Sequence, residues 1–329
     1  MRTLITGASG FIGSRLAYRC VELGHVVRVL TEVRNDVERQ YLGELGTAGV
    51  EAVVGSVTDF DAVRRAHDGV ERVFHLAAAQ HEANVPDGHF WKVNVDGTRN
   101  MLQASVESGV SRFVHGSSIG VYGWTPNQPI RDDSALDPDN IYGVTKLAGE
   151  QAVREFAERL PCVIVRISEV YGPGDRRLIK LFRGVRDGKF PIIGDGKNLH
   201  HLIYIDDLLD GLMAAAERPE AVGQTFVLAG VRPVSTIEMI EAVAAELGTK
   251  PPRLRVPLAP VMLAARLAEA LLRPFGIQPP IHPRRMNFYR KSFAFGMTAA
   301  REAIGFAPKV DLRTGLAATK RWYVEQRIL

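Results

Sequence analysis

With only two cysteines in 329 residues, the chain has no disulfide framework and no thiolate cluster for a metal. Cys20 and Cys162 lack metal-ligand spacing and read as buried free thiols of a reducing cytosol, so no metal site is expected. Long apolar runs are also missing. No stretch approaches the roughly 20 residues that span a bilayer, and the chain enters its first strand at once, leaving no room for a secretion signal. A cytoplasmic protein without a membrane span is expected. Charge of one sign is equally scarce: 41 basic residues stand against 37 acidic ones, a net +4, which is no basic stripe for a nucleic acid. There is no internal repeat and no low-complexity tract. A composition 46% hydrophobic and 24% charged can bury a large core.

What the chain does have is alternation. Short apolar strands at Thr3–Thr6, Val26–Leu30, Glu51–Val54, Arg72–Leu76, Arg112–Ser117 and Cys162–Ile167 take turns with helical stretches. That order specifies a parallel sheet covered on both faces. Past Gly172 the texture changes to Gly/Pro punctuation and, from Ser235, to helix-rich sequence. The spacing predicts a dinucleotide-binding domain over 1–170 and a substrate-binding lobe over 171–329. Leu202–Ile205 and Thr225–Leu228 are expected to return to the first domain.

The first strand runs into Thr6-Gly7-Ala8-Ser9-Gly10-Phe11-Ile12-Gly13, followed by a helix over Ser14–Leu23. Glycines there serve a sharp turn, a close approach by a pyrophosphate and a tight helix–sheet contact, and the helix amides face the anion. Farther on, Tyr142 and Lys146 lie four apart on one helical face. A phenol is a poor base at neutral pH unless a cation favours its phenolate, and Lys146 is placed to be that cation and to reach a cofactor ribose. Phe113-Val114-His115 ends in Gly116-Ser117-Ser118, at the strand end where an open parallel sheet keeps its ligand crevice. Geometry alone leaves Ser117 and Ser118 as alternatives for holding a substrate oxygen.

These motifs, with F-H-L-A-A at 74–78, N-V-D-G-T at 94–98, V-Y-G-P-G-D at 170–175 and H-H-L-I-Y-I-D-D at 200–207, resemble the extended short-chain dehydrogenase/reductases over nearly the whole chain. That superfamily includes nucleotide-sugar epimerases and dehydratases and the 3-beta-hydroxysteroid and dihydroflavonol groups. The resemblance implies an α/β Rossmann fold, a doubly wound parallel sheet with a smaller C-terminal substrate-binding lobe. It implies NAD or NADP bound by Gly7, Gly10, Phe11, Ile12 and Gly13, by Ser56 and Val57, by Leu76, Ala77 and Ala78, and beside Asn94, Ser117, Ile167 and Ser168. It places Ser118, Tyr142 and Lys146 as the catalytic set and implies a homodimer.

Several positions depart from the family pattern. Thr31 stands where an acid commonly meets the adenosine ribose, and Glu32 and Arg34 follow, leaving NAD and NADP both open. Ser56 replaces an acid near the adenine, with Asp59 close by. Glu169 replaces an asparagine before V-Y-G-P, and His200 and His201 replace an arginine that grips diphosphate. A carboxylate would repel a diphosphate, so these changes favour a hydride transfer on a small ring substrate of hydroxysteroid type over a nucleotide-sugar 4-epimerase or dehydratase. Arg284, Arg285, Arg290 and Lys291 keep the anionic substrate open. The apolar stretch Pro257–Phe275 could cover an apolar substrate or touch a membrane surface, and packing as a core or dimer helix is the expectation. A non-catalytic cofactor sensor would not need Tyr142 and Lys146.

Overall fold

Neighbouring residues of each central strand feed different cores. In the computed structural model, which describes residues 1–80, 85–125, 128–272 and 283–329 (side chains of 37 and 283–285 excepted), Leu4, Val73, Phe113 and Ile164 pack on one face of the sheet. Ile5, Phe74, Val114 and Val165 pack on the other. Side chains alternate along a strand, so unbroken apolar runs are what a sheet covered on both faces requires.

Strands β1 (Arg2–Thr6), β2 (Val26–Thr31), β3 (Glu51–Val54), β4 (Arg72–His75), β5 (Arg112–Ser118) and β6 (Cys162–Ile167) form most of this sheet. After them come β7 (Glu169–Tyr171), β8 (Ile192–Ile193), β9 (Leu199–His200), β10 (Leu202–Tyr204), β11 (Thr225–Leu228), β12 (Val234–Ser235) and β13 (Arg255–Val256). The seven-stranded order is β11-β6-β5-β4-β1-β2-β3, with every pairing parallel. This is the doubly wound arrangement, in which ligands bind beyond the carboxyl ends of the strands where the order reverses.

The first helices are α1 (Phe11–Glu22), α2 (Asp36–Thr47), α3 (Phe60–Ala66), α4 (Asp87–Trp91), α5 (Gly97–Glu107) and α6 (Ile141–Glu155). The later ones are α7 (Ile179–Arg186), α8 (Ile205–Glu217), α9 (Thr236–Leu247), α10 (Leu258–Leu272), α11 (Pro283–Arg290), α12 (Thr298–Ile304) and α13 (Leu312–Glu325). Residues of α1 and α8 cover one face of the sheet, and residues of α3, α5 and α6 the other. The C-terminal elements form a second lobe joined to the first core through Met239, Ile240, Leu316 and Tyr323.

Thr225–Leu228 returns to the main sheet as its edge strand beside β6. Leu202–Tyr204 does not; it pairs with β7 in a separate two-stranded sheet. Of the core and dimer readings of the 257–275 stretch, the core one is corrected within the described residues. Of α10 only Ala265 is buried, and Leu263, Leu267 and Leu271 face solvent. Residues 273–275 lie outside the described residues.

Candidate active site

Thr6 ends β1 and fixes the strand next to it. Its Oγ1 accepts the amide hydrogens of Leu76 and Ala77 at 3.1 and 3.0 Å and meets His75 Nδ1 at 2.8 Å. That holds Leu76 and Ala77 against the glycine turn. Gly7 has φ +75, and a Cβ there would lie 2.9 Å from the Ala77 nitrogen. A Cβ on Gly13 would lie 2.3 Å from the Gly7 oxygen, so neither position takes a larger residue without moving backbone. α1 then starts from Gly10 with no side chain capping its first amides. Those open donors and the helix dipole fit a pyrophosphate.

A cavity of about 420 Å³ opens above the glycine turn, within the size range of small-molecule sites. Gly7, Gly10, Phe11, Ile12 and Gly13 line it, with Thr31, Glu32 and Arg34 after β2 and Ser56 and Val57 after β3. Leu76, Ala77 and Ala78 follow β4; Ser117 and Ser118 end β5; Tyr142 and Lys146 come from α6; Ile167 and Ser168 close the ring at β6. Asn94 alone among the expected residues is not part of this lining. Its side chain is buried beneath, accepting from the Ala79 amide at 2.8 Å and donating to Ala79 O and Thr145 Oγ1 at 3.1 and 2.9 Å. Val170, from V-Y-G-P-G-D, also lines the cavity, as do Gln80 and Arg177, which no motif singled out.

The two serines have different partners. Ser117 donates to the buried Glu150 Oε1 at 2.7 Å, so its hydroxyl is engaged on the inner side. Ser118 Oγ accepts from the Gly120 amide at 3.1 Å, and its hydroxyl is near enough to the Tyr142 phenol to favour the phenolate. Asn140 starts α6 by accepting from the Gly143 amide at 3.0 Å, a cap worth about 1 kcal/mol. This start puts Tyr142 in the first turn, with Lys146 one turn on.

The expected depression of the Tyr142 pKa by Lys146 is not what the structure gives. Burial raises it, and the Ser118 hydroxyl and the Arg177 guanidinium oppose that rise only in part. Lys146 is itself brought down to about 8 by burial, with Glu150 pulling the other way. The cation whose field reaches the phenol is therefore Arg177. Asp175 Oδ1 accepts from its Nε at 3.0 Å and from its amide at 2.9 Å, and its Nη2 donates to Val170 O at 2.6 Å. Asp175 is in turn held from the far end of the chain, where Tyr323 Oη donates to its carbonyl at 2.6 Å.

The NAD dependent epimerase/dehydratase family model matches residues 3–229. The chain belongs to that family. An uncharacterised protein of Sinorhizobium fredii, y4nL, is 34% identical over 98% of this chain and 95% of its own length. The UDP-glucose 4-epimerase of Mycolicibacterium smegmatis is 30% identical over 98% of each chain. A 3beta-hydroxysteroid-dehydrogenase/decarboxylase of Arabidopsis thaliana is 30% identical over 84% of this chain but 52% of its own. Among solved structures, MoeE5 in complex with UDP-glucose and NAD superposes with a TM-score of 0.78 at 26% identity, over 99% of this chain and 100% of that one. As a member of the epimerase/dehydratase family the chain is an NAD(P)-dependent extended short-chain dehydrogenase/reductase.

Its departures from the family pattern have local partners. Glu32 Oε2 accepts from Arg34 Nε at 2.6 Å. Burial pushes the Glu32 pKa up, but hydrogen bonds from Ser56 and Arg34 outweigh this and lower it. Glu169 is not among the cavity-lining residues; it lies 3.1 Å from His200 Nδ1, whose Nε2 is 3.1 Å from Thr236 Oγ1. His201 Nε2 meets Gly230 O at 2.9 Å, and its Nδ1 accepts from the Phe295 amide at 3.0 Å. The histidines thus tie loops together, and Asp207 accepts from the Lys309 and Val310 amides at 3.0 and 2.9 Å. Lys291 is paired with Asp139, Arg290 donates to Asn287 at 3.2 Å, and the side chains of Arg284 and Arg285 lie outside the described residues. Cys20 and Cys162 are buried, with both thiols pushed up to about 12. Among the described residues no group of three His, Cys, Asp or Glu is placed to hold a metal, and no helix is long and apolar enough to cross a membrane.

Proposed function

We propose that the chain epimerises or dehydrates a nucleotide-linked sugar at a secondary alcohol carbon, with Ser118, Tyr142 and Lys146 as its catalytic set. One observation carries this reading: Ser118, Tyr142 and Lys146 line the same cavity as the glycine turn. End-to-end similarity to a UDP-glucose 4-epimerase supports the substrate class. The argument that Glu169 repels diphosphate loses its force, since that carboxylate faces His200 and is not part of the cavity lining.

NAD(P), when bound, supplies a hydride acceptor and donor at the nicotinamide. Tyr142 Oη takes the hydroxyl proton while Ser118 Oγ holds the oxygen, and the Lys146 ammonium serves the ribose. The Arg177 guanidinium favours the phenolate. Glu32, already neutralised on one side by Arg34, takes the adenosine hydroxyls and makes NAD the preferred cofactor. A homodimer through the outer faces of α5 and α6, a site of action in the cytoplasm and a division of the chain near residue 170 complete the reading.

Purified protein incubated with UDP-glucose, dTDP-glucose and hydroxysteroids is expected to convert a sugar nucleotide, read by NMR, without net absorbance change at the nicotinamide. Net cofactor reduction with a hydroxysteroid alone would overturn this assignment in favour of the dehydrogenase branch. Glu32→Ala is expected to weaken NAD relative to NADP by about 10-fold, as removal of one like charge near a 2′-phosphate implies. An unchanged ratio of the two dissociation constants would reject Glu32 as the selector.

A further inference from the structure

α10 is apolar on both sides and buried on one. Leu258, Val261, Met262 and Ala265 pack toward Ile193, Met286 and Tyr289. On the other side Leu263, Leu267 and Leu271 are 59%, 55% and 67% exposed, with Ala259, Ala264 and Ala270 exposed between them. Leu254, just upstream, is 58% exposed. A helix apolar all round is ordinarily buried in a core or in lipid, and isolated exposed leucines need no explanation, whereas an aligned row does.

The exposed charges on α10 and just upstream of it are mostly of one sign. Lys250, Arg253, Arg255 and Arg266 are exposed, while Glu269 is half-buried. Asp195 and Lys197, in the turn that meets Leu258 through Gly194, offset each other. A two-fold pairing of this face with a second copy would set its basic margin against itself. An anionic lipid surface is complementary to both features, taking leucines at the headgroup–acyl boundary and cations at the phosphates.

We propose that the exposed face of α10 seats the protein on an anionic bilayer surface, with Leu263, Leu267 and Leu271 entering the interface and Arg253, Arg255 and Arg266 beside the lipid phosphates. The helix lies in the membrane plane. Its 15 residues span about 22 Å along the surface, and the contact is peripheral. This surface is separate from the cavity and does not depend on which substrate the cavity takes.

The test is co-sedimentation of the full chain with phosphatidylcholine vesicles, with and without phosphatidylglycerol. Binding is expected to the anionic vesicles, to weaken in high salt and to be slight on neutral ones. Replacing all three leucines by glutamine (L263Q, L267Q and L271Q together) should lower the affinity more than 10-fold. Replacing the three arginines (R253Q, R255Q and R266Q) should lower it on the order of 100-fold. Both variants should keep the parent Tm, because every altered side chain is already exposed. Failure of the parent chain to bind anionic vesicles would overturn the proposal. So would sedimentation velocity showing a dimer that the leucine variant dissociates, since the face would then belong to a second copy. Binding retained by the leucine variant would reject α10 as the contact.

Discussion

At Lys146 the cost and the use of a buried charge coincide. Its folded pKa of about 8 lies below the ordinary lysine value of 10.5, so between those values the unfolded chain binds the extra proton. Stability contributed by this residue therefore rises as pH goes from about 8 to 10.5, and below 8 the buried ammonium is a standing penalty. Lys146→Met is expected to raise stability near pH 7 by on the order of 2–3 kcal/mol while abolishing turnover; urea unfolding alongside an activity assay checks both. Tyr142→Phe should leave cofactor affinity within about 2-fold and cut turnover by on the order of 100-fold or more, the worth of one positioned proton carrier. Titration calorimetry and initial rates separate the two effects, and unchanged turnover would remove Tyr142 from the chemistry. Arg177→Gln should move the alkaline-going rise of the rate to higher pH by roughly half a pH unit, because a cation that favours the phenolate is lost.

Among the elements, α6 is tied to the sheet by one buried ion pair. Glu150 on α6 meets Arg166 on β6 through two contacts of 2.9 Å and also accepts from Ser117 on β5 and from Arg154. Arg166 donates onward to Tyr122 Oη at 2.8 Å. Burial and hydrogen bonding of both partners mean that removing either strands a charge. Glu150→Ala is expected to cost about 3–5 kcal/mol, read as a lowered urea midpoint. The strands and the glycine turn were legible because apolar runs and glycine spacing are local signals. Their ends were less so: β4 stops at His75 because the Leu76 amide goes to the Thr6 side chain, and α1 begins at Phe11 because Gly10 can act as its cap. The core reading of α10 failed for a physical reason: with Arg266 and Glu269 its only charges, periodicity says little about which side of the helix is buried.

For the molecule as a whole, the cavity draws on residues spread from Gly7 to Arg177. Its glycine and tyrosine–lysine motifs could be read in sequence because each lies within one turn or one helix. Arg177 could not, since its place depends on the G-P-G-D-R-R loop folding back toward the start of the chain, where a Cβ on Gly174 would lie 2.9 Å from the Phe11 ring. Ser117 and Ser118 likewise could not be told apart by strand geometry alone; the family resemblance chose Ser118, and the Glu150 bond to Ser117 agrees with that choice. The loop is braced from α13. Tyr323→Phe removes its bond to the Asp175 carbonyl and is expected to cost about 1–2 kcal/mol, with glycine-turn binding of cofactor retained; calorimetric unfolding and a cofactor titration check the two parts.

That brace makes the aim of one guanidinium answerable to a distant helix. Whatever loosens α13 slackens the loop that carries Arg177, while the glycine turn, shaped by its own near neighbours, stays as it is. Damage remote from the cavity should therefore surface in proton transfer before it surfaces in the grip on the cofactor.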